Sequence, residues 1–89
     1  MQILIEEATT IGNVVRASRK ALKIRQDDAA ERLGVSENFL GKIERGSESV
    51  QWGKLFQVLD GLGVKVIVQV PQDVIGSYRK LVAPSLRSR

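Results

Sequence analysis

Glycines divide this chain into short segments in which apolar residues recur at intervals of three and four. That interval places apolar side chains on one face of an α-helix, and a glycine after such a segment commonly ends the helix. Gly34, Gly46, Gly61 and Gly63 each follow a segment of this kind. A chain of 89 residues forms one domain, so the pattern predicts short helices around one small core.

Four helices are predicted between residues 9 and 63. The first is capped by Thr9 and Thr10, and the second runs from Gln26 to Leu33. The third is capped by Ser36 and runs to about residue 45. The fourth covers about residues 50–62, and its apolar face is Trp52, Leu55, Phe56, Leu59 and Leu62. We expect an all-α domain over residues 9–63, with an N-terminal extension over residues 1–8 that could form a strand.

The apolar period changes to two after Gly63. Alternation from residue 64 to 70 is typical of a β-strand, and Pro71 ends it. Because one strand cannot satisfy its own backbone groups, residues 64–71 need a partner. The partner is either residues 2–5 of the same chain or the same strand of a second copy. The residues expected at a dimer interface are Val64, Val66, Ile67, Val68 and Val70.

Residues 72–89 are interpreted as a basic C-terminal tail. A short amphipathic helix through Val74 and Tyr78 would fray towards Pro84 and the arginines that follow it.

Charge and composition favour an anionic partner and argue against catalysis. Lys and Arg number 14 against 10 Asp and Glu, a formal charge of +4 that attracts polyanions. The chain has no His and no Cys, the commonest general base and the strongest nucleophile. We therefore predict no enzyme activity, no cofactor and no metal. No secretory signal or membrane-spanning run is visible, so a cytoplasmic protein without a membrane partner is expected.

The second and third predicted helices carry the functional signal. They are joined by Gly34-Val35-Ser36, which predicts a helix-turn-helix whose second helix enters the major groove of DNA. Asn can bind adenine and Lys can bind guanine there, while the helix end at Gln26 suits a phosphate. The exposed residues expected on the third helix are Glu37, Asn38, Gly41, Lys42 and Arg45.

The same two helices also fit a protein-interaction adaptor, and the surface discriminates between the two functions. An adaptor would expose apolar residues around the third helix, whereas a DNA-binding protein would surround it with cations. The cations expected on such a face are Arg16, Lys20, Arg25, Lys42, Arg45 and Lys54.

Three parts of the sequence together resemble the Cro/phage-repressor (XRE) family. They are Arg19, the stretch Gln26-Asp27-Asp28-Ala29-Ala30-Glu31-Arg32-Leu33-Gly34-Val35-Ser36 and the stretch Lys42-Ile43-Glu44-Arg45-Gly46. The resemblance covers about residues 11–64. It implies a lambda-repressor-like fold of five helices, with DNA contacts from Gln26 and from Ser36 to Lys42. It also implies a structural Arg19–Glu44 pair that ties the first helix to the third.

Some positions depart from the family pattern. Arg25 stands where the family usually has a Thr or Ser cap, which weakens the helix start but adds a cation near DNA. Ala29 replaces a usual Leu, and Phe39 and Gly41 replace the common Thr and Ser. Phe39 either contacts a thymine methyl group or packs into the core. The expected DNA-contacting set is Arg25, Gln26, Ser36, Glu37, Asn38, Phe39, Gly41, Lys42 and Arg45.

A narrower resemblance lies in residues 39–46 and 49–63, followed directly by the predicted strand. This arrangement is similar to the HipB-type antitoxins. The resemblance implies a homodimer paired through that strand, repression of its own operon by binding double-stranded operator DNA, and binding of a HipA-type serine/threonine kinase toxin. A stand-alone XRE-type regulator is the alternative within the family.

Overall fold

The computed structural model describes residues 1–87 and consists of five α-helices. They are α1 (Ala8–Ala21), α2 (Gln26–Leu33), α3 (Glu37–Glu44), α4 (Trp52–Gly61) and α5 (Val74–Arg87). The described residues contain no β-strand, so the predicted all-α class is confirmed. The bounds of α2 are those predicted. Residues 8–63 contain the four helices predicted from the apolar pattern and not the five that the family resemblance implied there. The fifth helix lies after residue 71, where a tail was expected.

The core lies where α1, α2 and α4 meet α3. The closely packed pairs are α1 with α3, α2 with α3, and α2 with α4. Burying a side chain the size of Val or Leu contributes about 1.5–3 kcal/mol, so a core this small stabilises the fold modestly. The buried residues are Val15, Ala29, Ala30, Leu40, Ile43, Val58 and Leu59.

The start of α1 differs from the prediction. Thr9 and Thr10 lie inside the helix, which begins at Ala8, and Glu7 occupies the N-cap position without a side-chain cap bond. The Thr9 hydroxyl instead donates to Glu7 Oε1 at 2.7 Å. Because α1 starts there, Thr9 faces the end of α3: a Cβ on Gly46 would lie 2.6 Å from Thr9 Cγ2.

Gly12 allows α1 to cross directly over the C-terminal turn of α3. This residue is buried, and a Cβ there would collide with the carbonyl oxygen of Ile43 and lie 2.9 Å from that of Glu44. The obstacles are backbone atoms, which cannot move aside as the end of a flexible side chain can. The distance between α1 and α3 is therefore fixed by the absence of a side chain at this one position.

Residues 64–71 form neither a helix nor a strand in the single chain. The Val64 N–H donates to Leu59 O at 2.9 Å, and the next backbone donor to a backbone carbonyl is Val74, to Pro71 O at 3.0 Å. Pairing with residues 2–5 is absent within the described chain. Pairing with a second copy remains a prediction. Val64 packs against the core, whereas Val66, Ile67, Val68 and Val70 are exposed.

The C-terminal helix is longer than expected. Instead of a short helix fraying at Pro84, α5 continues to Arg87, and residues 88–89 lie outside the described residues. Among the helices of the described chain, none has the length and apolar character needed to cross a membrane.

We predict that Gly12→Ala lowers the free energy of unfolding by about 1–3 kcal/mol, because the added methyl group pushes α1 away from α3. Gly53→Ala is the matched control, since a Cβ there meets nothing within 4 Å. The control should be neutral or gain about 0.5–1 kcal/mol from the better helix former. Urea unfolding of both variants measures this. Equal stability of the two variants would contradict the close approach.

Candidate nucleic-acid interface

The turn between α2 and α3 is fixed from both sides. Gly34 adopts the left-handed conformation at φ 75°, which glycine tolerates and which ends α2. The Ser36 Oγ then accepts a hydrogen bond from the Phe39 N–H at 3.0 Å and starts α3. Both roles match the prediction from Gly34-Val35-Ser36.

A contact from α4 also fixes this turn, and the sequence pattern did not reveal it. The Gln57 side-chain amide donates to Leu33 O at 2.6 Å and to Gly34 O at 3.4 Å. These are free carbonyls at the end of α2, which need a partner outside the helix. Gln57 therefore holds the end of α2 to α4. An exposed Gln in a helix is too common to signal such a role by itself.

The structure brings Arg19 and Glu44 together in a two-point contact between α1 and α3. Arg19 Nε lies 2.7 Å from Glu44 Oε2, and Arg19 Nη2 lies 2.9 Å from Oε1. The third donor, Nη1, reaches Ile24 O at 3.0 Å. The side chains are only 11% and 5% exposed, so water screens the pair little.

Glu44 also receives a contact from α2. The Gln26 side-chain amide donates to Glu44 Oε1 at 3.3 Å. One carboxylate on α3 therefore contacts α1 through Arg19 and α2 through Gln26. Gln26 was expected to grip a phosphate, and it lies half-buried with its amide nitrogen turned towards Glu44.

The ionisation of this cluster follows from its contacts. Burial acts to raise the pKa of Glu44, but hydrogen bonds from Arg19 and Gln26 and the positive charges of Arg19 and Arg16 outweigh it. The pKa of Glu44 therefore lies below its ordinary value. The hydrogen bond to Glu44 raises the pKa of Arg19, against the opposing effect of burial. The pair is charged at neutral pH.

The outer face of α3 presents polar side chains to solvent. Glu37, Asn38, Lys42 and Arg45 are exposed, as expected. Neither Lys42 nor Arg45 forms a salt bridge within residues 1–87. Their positive charges are therefore available to an anion.

Gly41 was expected to be exposed on this face, and that expectation is wrong. Gly41 is buried, since a Cβ there would lie 3.0 Å from Arg45 Nη1 and 3.7 Å from both polar atoms of the Gln26 amide. The side chains of Arg45 and Gln26 converge over its backbone. The missing side chain leaves room for both groups, and Gly41 itself presents little surface.

Phe39 packs inward more than it faces solvent. Its side chain is half-buried against the core, and the Lys54 ammonium lies 5.7 Å from the ring centroid, within reach of a cation–π interaction. Of the two alternatives for Phe39, the structure shows packing. Lys54 of α4 is thereby held beside α3.

Arg25 is an exposed cation that is paired with two neighbouring carboxylates. Its guanidinium contacts Asp27 at 2.7 and 3.2 Å and Asp28 at 3.6 Å, and all three side chains are largely exposed. The hydrogen bond from Arg25 lowers the pKa of Asp27. Exposed pairs of this kind exchange partners readily, so the group can turn to a phosphate at little cost.

The surface around α3 is polar and carries cations. Among the described residues, no large apolar side chain of α2 or α3 is strongly exposed. The expected cations Arg16, Lys20, Arg25, Lys42, Arg45 and Lys54 are all exposed. This surface differs from the apolar one that an adaptor would show.

The sequence is similar to a known domain family and to a described transcriptional regulator. The family model described as a helix-turn-helix domain matches residues 10–68. A protein of Sinorhizobium fredii, described as the uncharacterised HTH-type transcriptional regulator y4mF, is 37% identical over 67 residues. Those residues cover 75% of this chain and 88% of that protein.

Solved structures share the fold. A chain of the HipA-HipB-O2-O3 complex superposes with a TM-score of 0.70 at 15% identity, covering 80% of this chain and 100% of that chain. At that identity the likeness shows the fold alone. An HTH_3 family transcriptional regulator from Vibrio cholerae gives a TM-score of 0.57 at 33% identity, over 65% of this chain and 33% of that one.

We predict that Glu44→Gln lowers the free energy of unfolding at pH 7 by about 3 kcal/mol, because the buried Arg19 loses its counter-charge. The difference from wild type should narrow as the pH falls below about 4.3, the ordinary value for a glutamate. The reason is that the depressed pKa of Glu44 stabilises the fold only above that range, and this stability is lost as the pH falls through the folded pKa.

Glu48→Gln, which changes an exposed carboxylate, is the control and should shift stability by less than about 0.5 kcal/mol. Urea unfolding at several pH values measures both variants. A gap for Glu44→Gln that is the same at pH 7 and pH 3 would show that its charge does not stabilise the fold.

Proposed function

We propose that this chain, which belongs to the helix-turn-helix domain family of the XRE type, is a dimeric repressor of transcription that binds operator DNA through α3. The observation that carries the proposal is the outer face of α3. Asn38, Lys42 and Arg45 are exposed there on a helix whose orientation is fixed by Glu44. Polar groups held rigidly on one helix face can match the pattern of donors and acceptors in a major groove.

Each exposed group has a role in this proposal. Asn38 reads adenine, Lys42 reads guanine, and Glu37 accepts from a cytosine amine. Arg45 and Arg25 contact a phosphate at the edge of the groove. Gln26, which meets Arg45 over Gly41, contacts that phosphate with the amide N–H that it does not donate to Glu44. The Ser36 hydroxyl oxygen accepts the cap bond from the Phe39 N–H and thereby orients α3. Its O–H donor and its second lone pair are left for a contact to DNA.

The dimer forms through residues 64–70. Apart from the Val64 N–H, their backbone groups form no hydrogen bond within the described residues, and four of their apolar side chains are exposed. Pairing of this segment with its copy across a two-fold axis satisfies the backbone and covers the valines. The two α3 helices of such a dimer would read half-sites about 34 Å apart on a palindromic operator.

The partner proposed beyond DNA is a HipA-type serine/threonine kinase toxin, with this chain as its antitoxin. Support comes from the fold shared with a chain of the HipA-HipB-O2-O3 complex. The alternative is a stand-alone regulator. Co-expression with a kinase encoded beside the gene separates the two: a complex that survives purification supports the antitoxin, and separate elution favours the regulator. The proposal assigns the chain no catalytic step, cofactor or metal.

We predict that Lys42→Ala weakens binding to the operator by about 1–3 kcal/mol, or roughly 5- to 150-fold, because one base contact is lost. Lys80→Ala, which removes an equal charge from α5, is the control and should bind as wild type does. Fluorescence anisotropy with labelled operator measures both. Equal affinities for the two variants would remove Lys42 from the base-contacting set.

We predict that Val66→Lys combined with Val68→Lys produces monomers, because like charges would face each other across the two-fold strand pair. Lys65→Gln, on the other face of the segment, leaves the dimer intact. Sedimentation velocity measures the mass of each. A dimer that persists in the double variant would rule out pairing through residues 64–70.

A further inference from the structure

An open apolar groove lies between the N-terminal end of α1 and the start of α4. Its volume is about 370 Å³, and it includes none of the residues proposed to contact DNA. Trp52 at its edge is 70% exposed and stacks on Phe56, with ring centroids 5.5 Å apart. The apolar lining is formed by Ile5, Ile11, Ile43, Val50, Trp52 and Leu55.

The rim of this groove is acidic. Glu6, Glu7 and Glu48 line it, and no Lys or Arg does. Within residues 1–83, whose side chains the structure describes, none of these three carboxylates forms a salt bridge. An apolar groove with an acidic rim is complementary to an amphipathic helix with basic residues.

Helix α5 has this complementary character. Val74, Tyr78 and Leu81 recur at the spacing by which a helix places anchors into a groove, and all three are exposed. Residues 74–89 contain four basic residues and no acidic one. Arg79 lies at the edge of the apolar stripe. In addition, α5 belongs to none of the closely packed helix pairs of the described residues, and the side chains of its apolar stripe are open to solvent.

We propose that α5 of each protomer docks in the groove of a second copy, with its apolar stripe against Trp52 and Arg79 at the acidic rim. The inference rests on the proposed dimer, because residues 64–71 lead directly into α5 and their pairing with a second copy carries α5 to that copy. The exchange is reciprocal, so it covers two helix stripes and two grooves. It deepens the dimer interface without involving the DNA-binding face.

Trp52 is the sole tryptophan of the chain, so its fluorescence reports on the groove directly. The experiment is acrylamide quenching of the full-length protein at concentrations where sedimentation gives a dimer. Leu81→Lys is expected to raise the quenching constant roughly threefold over wild type, because the indole returns to solvent. Arg79→Glu should raise it too, whereas Lys80→Gln, on the opposite side of α5, should leave it unchanged. Equal quenching in wild type and Leu81→Lys overturns the proposal.

Mixing two variants tests whether the docking occurs between copies. Chains with Trp52→Phe have an intact α5 and no tryptophan fluorescence, and chains with Leu81→Lys have the tryptophan reporter and a defective α5. An excess of the Trp52→Phe chains should return the quenching of the Leu81→Lys chains towards the wild-type value. No recovery means that α5 docks in its own chain or not at all, and overturns the proposal.

Failure of this inference is distinguishable from failure of the proposed dimer. A wild-type protein that sediments as a monomer overturns both. A dimer that depends on Val66 and Val68, yet has Trp52 as open to acrylamide as in Leu81→Lys, overturns only the docking of α5. Operator binding by the Leu81→Lys chain tests the DNA-binding face separately.

Discussion

The arrangement of this molecule depends on a buried carboxylate. Glu44 accepts two hydrogen bonds from Arg19 of α1 and one from Gln26 of α2, so the C-terminal end of α3 is tied to both neighbouring helices. A buried charge is tolerated only when it is paired and hydrogen-bonded, and these contacts meet that requirement. Gly12 brings α1 close enough for the pair to form. With α3 held in this way, the side chains on its outer face keep a fixed relation to one another.

The contacts that hold α3 in place involve its inner face, and they leave the side chains of its outer face open to solvent. The inner face is held by Leu40, Ile43 and the Glu44 cluster, while Lys42 and Arg45 form no salt bridge in the described part of the chain. A helix that is held through its inner face keeps its position while its charged outer side chains face solvent. Side chains in fixed positions can recognise particular base edges, whereas mobile charges only attract phosphates. Gly41 contributes by leaving space in which Arg45 and Gln26 converge.

Most of the helical domain could be predicted from the sequence because its signals are local. The spacing of apolar residues, Gly34 and the Ser36 cap predicted α2 and the start of α3 correctly. Long-range contacts have no such signal. The reach of Gln57 to the end of α2 and the burial of Gly41 depend on how helices pack. The length of α5 was underestimated because Pro84 and the arginines around it resemble a frayed end.

Residues 64–71, which follow α4, differ from the helices in their backbone hydrogen bonding and in their exposed apolar side chains. The backbone groups of residues 65–70 form no hydrogen bond within the described residues, and α5 follows with an exposed apolar stripe. A small domain that leaves this much apolar surface open gains stability by association. The pocket beside the start of this segment is lined by Phe56, Leu59 and Asp60 of α4 and by none of the residues proposed to contact DNA.

A repressor of this kind requires α3 to read a DNA sequence. The most direct measurement is a gel-shift titration with DNA from upstream of the chain's own gene, at two salt concentrations and with excess unrelated DNA. If α3 reads sequence, the complex resists the competitor and weakens steeply as salt rises, because phosphate contacts release counterions. Binding abolished by the competitor, or no binding, would show that α3 does not read sequence and would favour a protein-interaction adaptor.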